Sequence, residues 1–155
     1  MSLTEIISSG QTGAERAALH VAMRYDLPYS GWCPKGRMAE DGLLADRYKL
    51  NETPGASKLT HIGWNVKESE GTVMFTLASQ LTRSCKEAAL FAETLGKPWI
   101  HIAQSAEWNA TATLQKFVEE SKITRLNVTG SWKSMEPGIY RWVYDIMEGA
   151  FFLED

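Results

Sequence analysis

Cysteine is scarce in the 155-residue chain: Cys33 and Cys85 are the two present, and no C-x-x-C spacing joins them. A disulfide framework is thereby excluded. Long apolar runs are missing as well. Gly149-Ala-Phe-Phe-Leu153 is typical of the longest, far below the ~18–20 residues of a membrane span. Nor is there a basic excess. Lys and Arg number 16 against 19 Asp and Glu, a formal net charge of −3, which argues against broad nucleic-acid binding. Met1-Ser-Leu-Thr-Glu5 has neither the basic patch nor the apolar core of a secretory signal. What is present is ordinary: 44% hydrophobic and 23% charged residues, close to the soluble globular average. A chain of this length can bury roughly 68–70% of its unfolded surface, enough for a core without staples. The expectation is a reduced, cytoplasmic protein, a single domain over residues 1–155, with no membrane and no nucleic-acid partner.

The pattern alternates short strand-like runs with longer helical ones. Thr4-Glu-Ile-Ile-Ser8 reads as a strand and is followed by the turn Ser9-Gly-Gln-Thr-Gly13. From Ala14 the period changes: Ala14, Ala17, Ala18, Val21, Ala22 and Tyr25 define one helical face that ends near Pro28. A short second strand leads into Trp32. Thr72–Thr76 predicts a third strand and Cys85–Leu95 a helix, stopped by Gly96-Lys-Pro98. The strand Trp99–Ile102, a helix over Glu107–Ser121, the strand Arg125–Thr129 and a last helix carrying Ile139, Trp142, Val143, Ile146 and Phe151 complete the chain. Strands separated by helices predict βαβ units: a three-layer α/β/α, Rossmann-like fold on a mostly parallel sheet of about five strands. Cys33–Gly55 shows neither period. With Leu43, Leu44 and Tyr48 inside it, it reads as an ordered lid or wall of a site rather than a disordered loop.

In such folds ligands collect at the carboxyl ends of the strands. The first βα loop offers Gly10 and Gly13 for close backbone approach, a helix N-terminus, hydroxyls from Ser8, Ser9 and Thr12, and Arg16 in the first turn. It is neither G-x-G-x-x-G nor a Walker A loop, so an anion cradle and a plain tight turn both fit. A cradle implies that Gly13→Val blocks the ligand; a plain turn implies that it costs stability alone. The segment Gly31-Trp-Cys-Pro-Lys-Gly-Arg37 adds Lys35 and Arg37, suited to phosphate. Cys33 reads first as a small buried hydrophobe, with a thiolate meeting a soft metal centre as the alternative, and His101, inside an apolar strand, as a satisfied core residue. His20, His61 and His101 share no ligand spacing with either cysteine, so no metal site is expected. No Ser/His/Asp or Cys/His set can be assembled from sequence positions.

Taken together, Ser9-Gly-Gln-Thr-Gly-Ala-Glu-Arg-Ala-Ala-Leu19, Gly31–Arg37 with Ala39-Glu-Asp-Gly42, Trp64-Asn-Val66, Gly96-Lys-Pro98, Asn127-Val-Thr-Gly130 and Pro137-Gly-Ile-Tyr140 resemble a family described as molybdenum cofactor carriers. The resemblance spans about residues 5 to 140. It implies a Rossmann-like fold related to lysine-decarboxylase-like phosphoribohydrolases, homo-oligomers, and a ligand that is a phosphorylated pterin bearing a dithiolene-bound molybdate. By that resemblance Ser9, Gly10, Gln11, Thr12 and Gly13, with Arg16, Lys35, Gly36, Arg37 and Gly130, would line an anion-rich site, and Asn65 would be a polar contact near it. The chain also departs from the pattern. A Gly-Gly-Thr expected after the third strand falls on Arg83-Ser-Cys85, where Arg83 would supply a side chain in place of the lost backbone cradle. A Pro-Arg expected after Gly130 reads Ser131-Trp132, and an Asp before Arg16 reads Glu15.

The leading expectation is a non-catalytic carrier of a phosphorylated heterocycle, molybdenum cofactor or a related nucleotide. The alternative is an enzyme, a nucleotide N-glycosidic-bond hydrolase. In the hydrolases a glutamate follows the glycine-rich stretch; that position holds Ala88 here, with Glu87 one residue early and turned by about 100° on a helix. The last helix, apolar on more than one side through Tyr140, Tyr144, Phe152 and Leu153, predicts a homo-oligomer contact.

Overall fold

The computed structural model describes residues 3–153. In chain order the elements are β1 (Glu5–Ile7), α1 (Ala14–Arg24), β2 (Tyr29–Ser30), β3 (Trp32–Cys33), β4 (Met38–Ala39), β5 (Gly42–Leu43), β6 (Asn51–Glu52), α2 (Thr60–Glu68), β7 (Gly71–Thr76), α3 (Arg83–Thr94), β8 (Trp99–Ala103), α4 (Ala110–Glu120), β9 (Arg125–Gly130) and α5 (Ile139–Phe151). A five-stranded parallel sheet in the order β2-β1-β9-β7-β8 forms the middle layer. This is the α/β, Rossmann-like arrangement that the alternating periods predict.

Side-chain alternation divides the core. Val73 and Phe75 of β7 join Ile6, Leu126 and Val128 under α1, α4 and α5. Met74, between them, points the other way onto Val66 of α2 and Cys85, Ala88 and Ala92 of α3. The connection β1–α1–β2 steps toward one edge of the sheet and β7–α3–β8 toward the other. Right-handed crossovers then place α1 and α3 on opposite faces. A crevice opens between them at the carboxyl ends of β1, β9 and β7.

Two segments lie outside the strand–helix alternation, the first as the ordered wall expected and the second as an addition to it. Residues 33–55 are ordered into small pieces, β3 paired parallel with β6 and β4 antiparallel with β5. Cys33, Ala39, Leu44, Tyr48 and Leu50 bury themselves with Leu19 of α1 in a satellite core. Helix α2 has no counterpart in the sequence reading. Its Gly63 lowers helix propensity, and no side chain caps its start at Leu59. Tertiary packing overrides both: a Cβ at Gly63 would lie 2.8 Å from the Phe91 ring of α3, so glycine permits the close approach of the two helices.

Helix α5 uses its several apolar sides within the chain. Ile139, Val143, Ile146 and Met147 are buried. Trp142 meets Phe75 edge-on, the Tyr140 hydroxyl lies 2.6 Å from His20 Nδ1, and Arg24 donates to the Tyr144 hydroxyl at 3.0 Å. Among the described residues no helix is long and apolar enough to cross a membrane.

Candidate functional site

A cleft of about 830 Å³ lies at the carboxyl ends of β1 and β9, within the usual size range of small-molecule sites. Ser9 and Glu15 form its floor, Lys35 and the β4 segment one wall, and Lys58, His61 and Ile62 at the start of α2 another. Arg83, Ser84 and Glu87 at the beginning of α3 face Trp132 and Met135 of the β9–α5 loop. The topology thus brings Ser9, Gln11, Lys35 and Arg83, distant in sequence, into one space.

The glycines of the expected cradle face elsewhere. Gly13 has φ +82°, and a Cβ there would lie 2.3 Å from the Ser131 carbonyl oxygen and 2.9 Å from Ile139 Cγ2. The space beside it, read from sequence as room for phosphate, is filled by the chain's own β9–α5 backbone. A Cβ at Gly10 would meet Leu50 and Leu19, and one at Gly130 the Phe75 carbonyl at 2.3 Å. All three glycines serve close packing of the chain on itself.

The polar groups of the first loop also have internal partners. Arg16 donates to both Asp41 oxygens at 2.9 and 3.1 Å and to the Gly10 carbonyl at 2.8 Å. The Thr12 hydroxyl donates to Glu40, which also takes the Ser134 N–H at 3.1 Å. Gln11 Oε1 accepts from the Thr12 and Glu40 N–H groups. The Ala39-Glu-Asp-Gly42 turn therefore docks its carboxylates where an external anion was expected. Arg37 donates to the carbonyls of Leu50, Ala45 and Tyr48, holding the satellite segment together. Gly36 is in open space and gives its N–H to Glu52 at 2.7 Å. Asn65 clamps Trp32, accepting from its N–H at 2.7 Å and donating to its carbonyl at 3.0 Å. Arg37→Ala is accordingly expected to lower stability by about 2 kcal/mol, because charged hydrogen bonds to several carbonyls are lost, with Arg37→Lys a poor substitute for a planar fork. A chemical-denaturation midpoint close to wild type in Arg37→Ala would contradict that assignment.

Arg83 is different. Arg16, Arg24, Arg37, Arg47, Arg125 and Arg141 each have a hydrogen-bond, ion-pair or ring partner, whereas the Arg83 side chain has none among the described residues. It stands at the first position of α3, after Thr82, whose hydroxyl caps the Cys85 N–H at 3.2 Å. Lys35 and Lys58 likewise have no internal partner for their ammonium groups among the described residues. At the neighbouring strand end Glu136 accepts from the Leu77 and Ala78 N–H groups at 2.7 and 2.9 Å and from the Ser131 hydroxyl at 2.5 Å. A tethered carboxylate so occupies the backbone donors that follow β7.

Two groups on the cleft floor and wall escaped the sequence reading. Glu15 is buried at the first turn of α1. It accepts from the Ser9 hydroxyl, the Gln11 N–H at 3.2 Å and the Thr129 hydroxyl at 2.7 Å. His61 lies opposite on α2, and its Nδ1 is buried without a hydrogen-bond partner among the described residues. Glu15 stands within the Ser9–Leu19 stretch without being read as a site residue, and no motif marks His61; only the tertiary fold brings the two to one cleft.

Both thiols are buried. Desolvation raises Cys33 and pushes Cys85 up to about 11, so neither supplies a thiolate at neutral pH. His101 accepts from or donates to the Thr76 hydroxyl at 2.7 Å, and burial lowers its pKa. Among the described residues no group of three or more His, Cys, Asp or Glu is placed to hold a metal ion. The Arg16 hydrogen bonds hold Asp41 below its ordinary value. Glu136 and Glu40 are also lowered, because hydrogen bonds to their charged forms outweigh the opposing cost of burial. A carboxyl depressed in the folded state contributes stability above its unfolded pKa and loses it as pH falls through the folded value. Melting temperature is therefore expected to fall below about pH 4, and less steeply in Glu136→Gln than in wild type. Parallel acid melts that superimpose apart from a constant offset would refute this role for Glu136.

Residues 6–151 match the model of the circularly permutated YpsA SLOG family. The chain belongs to this family. A solved structure similar to the chain, the crystal structure of the "Putative molybdenum carrier protein" from Syntrophus aciditrophicus SB, is 34% identical, with 97% of this chain and 96% of that one covered and a TM-score of 0.93. No curated protein shows significant similarity to the chain. The sequence resemblance and the fold comparison thus lead to the same group of proteins, and the cleft lies where α/β sheets of this kind bind ligands.

Proposed function

We propose that this SLOG-family chain is a cytoplasmic, non-catalytic carrier of a phosphorylated heterocycle, with molybdenum cofactor or a related nucleotide as the ligand. The observation that carries the reading is Arg83, an arginine without an internal partner at the N-terminus of a helix, facing a ligand-sized cleft. A guanidinium there, with the partial positive charge of α3 behind it, suits a phosphate. Lys35 and Lys58 add charge at the rim. The residues fit the phosphate and the ring system of the cofactor; the cofactor would bring its own redox-active metal. The buried, protonated Cys33 offers that metal no ligand. The likeness to a protein described as a molybdenum carrier supports the choice of ligand.

Titration calorimetry against molybdenum cofactor and common nucleotides tests the proposal. Micromolar binding of at least one is expected, and uniform absence of binding in that range would overturn it. Lys35→Ala should weaken binding only a few-fold, and the difference should shrink as salt is raised, since an exposed charge acts over about a Debye length. Equal loss at all salt concentrations would assign Lys35 a direct contact instead.

A second reading, hydrolysis of a nucleotide N-glycosidic bond, draws on Glu87. It lines the cleft one helical turn beyond Arg83, while Ala88 turns into the core. Release of free base from nucleoside monophosphates, abolished in Glu87→Ala, would replace the carrier reading by this one. The carrier reading also includes self-association, although Tyr140, Tyr144 and Phe152, the α5 side chains from which the sequence predicts it, have partners within the chain and Leu153 alone of that set is exposed. Light scattering should report a mass above that of one chain; a monomer at micromolar concentration would refute it.

A further inference from the structure

The phosphate reading leaves Glu15 and His61 unused. Glu15 is a buried carboxylate with three hydrogen bonds, two to Oε1 and one to Oε2. A carboxylate has about four acceptor positions, so Oε2 keeps a free one. Glu15 lines the cleft, so its carboxylate borders the space a ligand would fill. His61 lines the same cleft. Burial holds its pKa below the ordinary histidine value, with the Glu15 charge opposing, so the ring is neutral at neutral pH. A neutral imidazole carries one proton. Placing it on the buried, partnerless Nδ1 would orphan an N–H, a rarer and costlier state than an unused lone pair. The proton therefore sits on Nε2, the nitrogen left for the cleft. One neutral donor and one charged acceptor face the same space from α2 and α1.

We infer that Glu15 and His61 read the lactam edge of the ligand's heterocycle, an N–H beside a C=O, as found in guanine- and pterin-type rings. Glu15 accepts from the ring N–H, and from an adjacent amino group where one exists. His61 Nε2–H donates to the carbonyl oxygen. An adenine-type edge reverses both roles. Its ring nitrogen turns a lone pair toward the Glu15 carboxylate and its amino group meets the His61 N–H, so neither buried group is satisfied. Ile62 and Trp132 on the cleft wall supply apolar surface for the ring faces. The inference rests on the phosphate reading, with Arg83 holding the other end of the ligand.

The test is titration of guanosine, inosine and adenosine monophosphates against wild type, His61→Phe, His61→Gln and Arg83→Ala. Wild type should bind the guanosine and inosine nucleotides about tenfold or more tightly than the adenosine one. His61→Phe should bind all three alike, and His61→Gln, which keeps an amide N–H, should restore part of the preference. Arg83→Ala should weaken all three by a common factor. Arg83-dependent binding without preference among the bases, or a preference that survives in His61→Phe, overturns the lactam assignment alone. If His61→Phe fails to fold, an unchanged preference in His61→Leu, which offers no donor at all, overturns it in the same way. Failure of all three nucleotides to bind wild type overturns this inference, and failure of molybdenum cofactor to bind as well overturns the phosphate reading.

Discussion

Gly13→Val is expected to melt about 10 °C below wild type, or not to accumulate as folded protein at all. A Cβ would stand 2.3 Å from the Ser131 carbonyl oxygen and 3.0 Å from the Lys133 backbone nitrogen, so the obstacle is main chain rather than a flexible side chain. The same backbone supplies the Ser131 carbonyl to the Ala14 N–H at 3.2 Å, tying the β9–α5 loop to the start of α1. Overpacking and a branched residue at φ +82° together cost about 4 kcal/mol, and in a protein of this size each kcal/mol moves the melting point by about 2–4 °C. Gly36→Ala is the control. Its φ is +92°, but nothing lies within 4 Å of the added atom, so only the left-handed backbone penalty of about 1–2 kcal/mol applies. A Gly13→Val variant with near wild-type melting would mean that the turn is open and would return it to the ligand.

Arg83→Ala carries the largest expected effect on binding. It removes a guanidinium with no structural partner among the described residues, so the fold should survive with a melting temperature within about 1 °C of wild type. Loss of charge-assisted hydrogen bonds worth about 1.5–3 kcal/mol corresponds to roughly 10- to 100-fold in affinity for a phosphorylated ligand. Arg16→Ala should behave in the opposite way. It leaves Asp41 and the Gly10 carbonyl unpaired and destabilises the junction between α1 and the β4–β5 turn. Calorimetry and melting on the same samples separate the two arginines. Equal effects of both on binding, with both proteins fully stable, would contradict the division drawn between them.

The layered fold was legible because strand and helix periods differ. Met74 between Val73 and Phe75, and the alanine face of α1, need no tertiary information to be read. Helix α2 was not legible, since Gly63 and an uncapped start weaken its local signal and its reason for existing is the Phe91 ring of α3. The candidate site was legible only as a set of residue types. Arg16, Arg37 and Arg83 look alike in the sequence, yet Asp41 takes the first, three carbonyls take the second, and the third is left to the cleft. Those partners lie 25 and 8 to 13 residues away, and no local spacing encodes them. Glu15 appeared as a mild departure from a motif, and His61 as one of three scattered histidines. Their meeting across the cleft is a property of the sheet order.

Mass spectrometry of small molecules released from the natively purified protein tests the central claim most directly. The account predicts a phosphorylated heterocycle released from wild type in amounts approaching one per chain, and its loss from Arg83→Ala purified in parallel. Release of no such compound from wild type, or undiminished release from folded Arg83→Ala, would contradict it.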